Sequence, residues 1–141
     1  MTGPIFDTHA HYSAHAFDAD RFALLDSLPA KGVVGVCEQA THSGDAPRVL
    51  ELAHRYPWVV AAIGIHPESL LAPEDCGADG PAPTVSVYGG DWAAEMRVLA
   101  PYYDDPKVVA VGECGLDYHW PVPKDAQLAL FEAEIRLALE L

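Results

Sequence analysis

The sequence predicts an α/β protein of the TIM-barrel type, built from about four βα units, which is half of a (β/α)8 barrel. Three observations carry this. Short apolar runs of strand length alternate four times with segments of helical period, the pattern of a parallel sheet with helical crossovers. The chemistry-bearing polar residues, His9, His11, Glu38, His66 and Glu113, fall at the C-terminal ends of those runs, where barrel enzymes place their sites. And 141 residues is roughly half of the about 250 that eight units need.

The first run, Ile5-Phe6-Asp7-Thr8-His9-Ala10-His11, opens as a strand. Strand side chains alternate faces, so Asp7, His9 and His11 line one surface. Residues 18–27, with Phe22, Leu24, Leu25 and then Leu28, have helical spacing, start near Asp18 or Asp20, and are closed by Pro29 and Gly32. Gly-Val-Val-Gly-Val-Cys at 32–37 is a β-branched run suited to a strand buried on both faces, and the polar stretch 38–44 reads as the loop after it. A helix over 45–56, with Val49, Leu50, Leu52 and Ala53, stops at Pro57, and 59–65 is the third strand. Residues 70–90, rich in Pro, Gly, Ala and Asp, read as a long loop insertion, with 85–88 a candidate extended piece. Residues 91–103 follow as a helix with Asp91 as N-cap. The fourth strand is 108–112 and the last helix 124–141, whose Leu128, Phe131, Ile135, Leu137, Ala138 and Leu139 form the expected core face. The whole is expected to be a single domain, 1–141.

Composition narrows the function. Twenty-one acidic against 8 basic residues give a formal net charge of −13, so a broad basic groove for nucleic acid is excluded. A phosphate-bearing substrate then needs bound cations and a few local basic groups. Cys37, Cys76 and Cys114 are odd in number with no C-x-x-C spacing, which argues against a disulfide framework or structural zinc and fits a reducing compartment. With no readable signal peptide and no apolar run of membrane-spanning length, a cytoplasmic protein is expected.

His9 and His11 at the end of the first strand face a common point, as two metal ligands do. Glu113 shares strand parity with Val109 and Val111 and faces the same mouth; a carboxylate can bridge two divalent ions where an imidazole cannot. His9, His11 and Glu113 thus make a partial metal site able to bring a water's pKa toward neutrality, with Glu113 the candidate catalytic residue. A capping or solvated carboxylate is the alternative at Glu113. His66, between Gly64-Ile65 and Pro67, suits a metal ligand, a proton donor or, the reading favoured by its place at a strand end, a contact to an anionic substrate. Asp117 and Tyr118 share the loop of Glu113 and are candidates for substrate binding or for a packed turn. Glu38 has only a weak claim as a rim residue, His54 reads as a surface position, and His15 and His42 lack context.

Taken together, Phe6-Asp7-Thr8-His9-Ala10-His11, Gly64-Ile65-His66-Pro67 and Gly112-Glu113-Cys114-Gly115-Leu116-Asp117-Tyr118, with Gln127 to Phe131 opening a helix, resemble the TatD-like metal-dependent deoxyribonucleases of the amidohydrolase superfamily. The resemblance implies a TIM-barrel hydrolase with two divalent ions, Mg²⁺, Mn²⁺ or Zn²⁺, in which His9 and His11 bind one ion, Glu113 bridges two, and His66 lies near a substrate phosphate. It implies metal-assisted hydrolysis of a phosphodiester, with DNA or another phosphoester as partner. In that family further ligands come from histidines after strands five and six and an aspartate after strand eight. This chain carries only the N-terminal half of the pattern.

Two other readings stand beside it. One is a non-catalytic half-barrel that self-associates through open sheet edges or pairs with a missing C-terminal half. The other is an amidohydrolase-type enzyme acting on a small ester, amide or phosphoester. Against many amidohydrolases, which bridge their metals with a carboxylated lysine, the position after strand four is Glu113, and Lys107 and Lys124 merely flank it.

Overall fold

The computed structural model describes residues 3–71 and 86–141. Four strands, β1 (Ile5–Ala10), β2 (Val33–Gln39), β3 (Val59–Ile63) and β4 (Val108–Val111), form one sheet in the order β1-β2-β3-β4, every neighbouring pair parallel. Helices α1 (Arg21–Ser27), α2 (Ala46–Arg55), α3 (Trp92–Leu99) and α4 (Lys124–Glu140) alternate with them. This is an α/β fold with a partial barrel. Sequential order with parallel pairing means each connection crosses over by a helix, so all four βα loops emerge at one end.

Local chemistry sets the element bounds. Pro29 closes α1 and Gly32, at φ 91°, makes the left-handed turn into β2. The Asp45 carboxylate accepts from the Thr41 and His42 backbone and the Thr41 hydroxyl, tying down the approach to α2, which gives way to an extended Tyr56 before Pro57. Asp91 caps α3 by accepting from the Ala94 N–H, as its position predicts. Lys107 Nζ donates to the carbonyls of Tyr56, Pro57 and Val59 and so holds the start of β3 beside that of β4. Val36, Val49, Leu52, Ile63, Leu99 and Leu130, at most 2% exposed, make the centre of the core.

Several expectations are corrected. The stretch 38–44 is not all loop: β2 continues through Glu38 and Gln39, whose ladder partners on β3 are Ala61 and Ala62. Residues 87–90 form a turn rather than an extended piece, and the expected insertion at 70–90 otherwise lies mostly outside the described residues. Its opening falls inside them, with Leu70 buried at the end of the 3-10 turn Pro67–Leu70 and Leu71 buried just after it.

The face of α4 is also different. Its buried stripe is Gln127, Leu130 and Glu134, at helical spacing i, i+3, i+7, while Leu128, Ile135 and Leu139 are 50%, 45% and 82% exposed. The helix is turned so that its two buried polar side chains reach backbone N–H groups of the loops. Among the described residues, β1 and β4 are sheet edges, and Ile5, Phe6, Val34 and Val109 are exposed along the strands. Beside β4 an apolar groove of about 500 Å³ is lined by Tyr103, Val109, Val111, Ala138 and Leu141.

Candidate metal centre

His9 stands near the end of β1, and His11 follows it. Glu113 lies two residues past β4, with two strands between. The sheet curls enough to bring them together: Glu113 Oε2 is 3.4 Å from His9 Nε2 and 3.3 Å from His11 Nε2, and the two imidazole nitrogens are 3.0 Å apart. Glu113 is held in place from below by its own backbone, whose N–H donates to the Ala40 carbonyl at 2.8 Å while the Gly112 N–H donates to Ile63 at 3.0 Å. Gly64 allows this approach: a Cβ there would stand 2.7 to 2.9 Å from the backbone of Gly112.

The donor set fits a divalent ion. Two ligands each about 2.1 Å from an ion stand roughly 3.0 Å apart at a right angle and about 3.4 Å at the tetrahedral angle. The three separations here span that range. Without an ion the charges compensate one another. The hydrogen bond to Glu113 pushes the His11 imidazole above its ordinary pKa against the opposing effect of burial. The same bond, with the other imidazoles, holds the Glu113 carboxyl below its ordinary range.

His66 approaches from the other side, its Nε2 at 3.6 Å from Glu113 Oε1. The two carboxylate oxygens therefore face different partners. His66 is positioned by its N–H, which donates to the Thr41 carbonyl at 2.7 Å, and its Nδ1 accepts the Glu68 N–H at 3.2 Å. A neutral imidazole that accepts at Nδ1 carries its proton on Nε2, so His66 presents a donor to the mouth.

Glu68 and Asp117 stand beside it; ligand atoms of His66, Glu68 and Asp117 lie within 4.8 Å of one another. With the His66 lone pair engaged, that group offers a cation only its two carboxylates. Asp117 Oδ1 accepts the His119 N–H at 2.7 Å. Tyr118 is 55% exposed, with Lys124 Nζ 4.8 Å above its ring, and lies on the rim rather than in the cluster. His54 pairs with Asp105 at 2.7 Å on the surface. Cys114, next to Glu113 in the chain, has its thiol pushed up to about 11, chiefly by burial.

The sequence reading missed the buried acceptors under the mouth. Each of the four βα loops has one backbone N–H taken by a buried side chain. Glu38 accepts from Ser13 at 2.5 Å, Glu95 from Ser43 at 2.7 Å, Glu134 from Ile65 at 2.8 Å and Gln127 from Asp117 at 2.7 Å. Gln127 also donates to the Asp117 and Val122 carbonyls. The signal for Glu38 was a carboxylate directly closing an apolar run; for Gln127 and Glu134, two polar residues seven apart on one helix face.

The model of the TatD related DNase family matches residues 6–141, nearly the entire chain. The chain belongs to that family. Among its relatives are the uncharacterized metal-dependent hydrolase YabD of Bacillus subtilis, 32% identical over 97% of this chain and 47% of that protein, and the 3'-5' ssDNA/RNA exonuclease TatD of Salmonella typhimurium, 30% identical over 97% and 46%. Human deoxyribonuclease TATDN3 is 32% identical over 81% of this chain and 38% of its own length. The crystal structure of the TatD homologue YjjV from Escherichia coli superposes with a TM-score of 0.73 at 29% identity, covering 95% of this chain and 46% of that one. This TatD-family chain thus spans about half the length of the curated relatives it matches.

Proposed function

We propose that this chain forms the first half of a divalent-metal-dependent hydrolase acting on phosphodiester bonds of DNA. The observation that carries the reading is the convergence of His9, His11 and Glu113 on one point, with separations of 3.0 to 3.4 Å that match ligands of a shared cation. Relatives named as a deoxyribonuclease and as an ssDNA/RNA exonuclease support the substrate class.

In this reading His9, His11 and Glu113 would hold one ion, and Glu113 would be a shared ligand of a second. A divalent ion held there lowers the pKa of a bound water toward neutrality and offsets negative charge on a phosphate. The chain's own groups do the rest. Glu113 fixes the spacing between the two positions. His66 donates its Nε2–H to a non-bridging phosphate oxygen, and the rim residues Asp117 and Tyr118 are candidates to contact the rest of the substrate. Before an ion arrives Glu113 is already hydrogen-bonded to His11, which limits the cost of keeping that carboxylate half-buried.

Ligands gathered from one side alone hold an ion weakly. The edges of β1 and β4 leave room for further strands, supplied by a second half-barrel or by self-association. The odd cysteine count and the lack of a C-x-x-C spacing fit a reducing compartment such as the cytoplasm. Among the described residues no helix is long and apolar enough to cross a membrane.

The test is an assay of the 141-residue chain on single-stranded DNA with Mg²⁺, Mn²⁺ or Zn²⁺. Little or no turnover is expected, together with measurable metal binding that disappears in the His9→Ala, His11→Ala double variant. Robust turnover abolished by His9→Ala would show that the half-barrel is sufficient. Metal binding unchanged in the double variant would remove the basis of the reading.

A further inference from the structure

We infer that Glu38 is a positioning residue for the metal centre: from the neighbouring strand its buried carboxylate holds the Ser13 N–H and so fixes the turn that aims His11 at Glu113. The inference rests on the metal reading of His9, His11 and Glu113.

Glu38 is fully buried at the end of β2 and is the ladder partner of Ala10, the residue between the two histidines. It reaches across to the loop that begins at His11. That loop is a tight turn, closed by the Ala14 N–H donating to the His11 carbonyl at 3.0 Å. Its carbonyls are held from outside: Arg21 Nε donates to Tyr12 at 2.5 Å, Arg21 Nη2 to Ser13 at 2.9 Å, and Arg48 Nε to Ser13 at 3.1 Å. The Ser13 N–H points the other way, into the protein, and Glu38 Oε1 takes it.

The peptide on either side of Ser13 is thus clamped between two guanidinium groups and one carboxylate. His11, two residues earlier, inherits its backbone position from this clamp. Glu38 keeps its place at a cost: Oε2 is buried with no partner among the described residues. A buried carboxylate with an orphaned oxygen destabilises a fold unless something else requires it. An apolar residue would pack at that place more favourably, but it would leave the Ser13 N–H unpaired. Glu95 and Glu134 act on loops that carry no member of the first ligand set, and Gln127 holds the loop of Glu113 only at Asp117, four residues beyond it, whereas Glu38 holds its loop two residues from His11.

Reach and charge can be separated. Glu38→Gln keeps the reach and the acceptor while removing the charge; Glu38→Asp keeps the charge but withdraws the acceptor by one methylene. Mn²⁺ binding to the 141-residue chain, followed by electron paramagnetic resonance, is expected to weaken ten- to a hundredfold in Glu38→Asp, the usual effect of losing a supporting contact. Glu38→Gln is expected to stay within about threefold of the parent. Hydrogen exchange at residues 11–14 should speed up in Glu38→Asp and not in Glu38→Gln.

The opposite ranking, or equal losses in both variants, overturns the inference. So does fast exchange of the Ser13 amide in the parent chain, a measurement that depends on no variant folding. Should Mn²⁺ binding survive in the His9→Ala, His11→Ala double variant, the metal reading is what fails. Exchange at residues 11–14 in Glu38→Asp then judges Glu38 by itself, and unchanged exchange there would refute its role.

Discussion

His11 and Glu113 set the pH behaviour of the centre. His11 binds its proton more tightly in the fold than its ordinary value of 6.5 allows, and Glu113 more weakly than its ordinary 4.5. The stabilisation from His11 is therefore complete below 6.5 and lost as pH rises through its raised value. That from Glu113 is complete above 4.5 and lost as pH falls through its lowered value. An incoming cation competes with the His11 proton, so metal affinity should climb with pH until His11 is neutral, with proton release on binding. Calorimetric titration with Mn²⁺ in buffers of different ionisation enthalpy reads this directly, and a pH-independent affinity would contradict it. Gly64→Ala drives a methyl group into the Gly112 backbone; about 1–3 kcal/mol of destabilisation is expected in denaturant titrations. The Mn²⁺ affinity should fall in the same variant, since Gly112 carries Glu113. His9, His11 and Glu113 were legible in the sequence because each stands at or just past the C-terminal end of an apolar run, a placement that does not depend on the exact residue at which the strand stops. Glu38 was hidden for the complementary reason: a carboxylate closing an apolar run looks the same whether it points to solvent or folds back under the neighbouring loop.

Among the elements, α4 carries the largest consequence. Burial pushes Glu134 up to about 8 although it accepts the Ile65 N–H, so at neutral pH it is mostly a neutral acid. The folded chain then holds a proton that the unfolded chain releases near 4.5. Its contribution to stability is whole below that value and is lost as pH rises toward about 8, at up to ~1.4 kcal/mol per pH unit. Glu134→Gln removes the titration and should flatten the decline of Tm between pH 5 and 8 in roughly the range given by these values; an unchanged slope would place the origin elsewhere. The extent of α4 was readable from its sequence, and its rotation was not. Amphipathic counting ranks Leu128, Ile135 and Leu139 as the inner face, whereas the loops need acceptors and turn Gln127 and Glu134 inward. By contrast α2 and α3 follow their patterns, since Pro57 and Asp91 mark ends that backbone chemistry alone decides.

At the scale of the whole molecule, the described residues form a parallel sheet of four strands with β1 and β4 at its edges and Phe6, Val34 and Val109 exposed, whereas parallel sheets are ordinarily covered on both faces. Copies of the chain should therefore associate, but each carries a formal charge of −13 that opposes their approach. Association is expected to strengthen with salt, becoming evident in roughly 1 M salt where the Debye length is about 3 Å. Light scattering over a concentration series checks it; a sharp monomer at every concentration and salt would refute it. The βα rhythm and the placement of polar residues at strand ends made the architecture readable, because both follow from local periodicity. The curl that lets β1 and β4 share a site is a property of the sheet as a body and has no local signature.

The thiol of Cys114 bears on the identity of the ion. Its sulfur turns back to the Val111 carbonyl at 3.8 Å and is not among the ligand atoms gathered at His9, His11 and Glu113, so among the described residues no soft donor joins that set. What remains within reach is imidazole nitrogen and carboxylate oxygen, a set that leaves copper(I) and cadmium without the sulfur they prefer and tilts the choice toward borderline and hard dications.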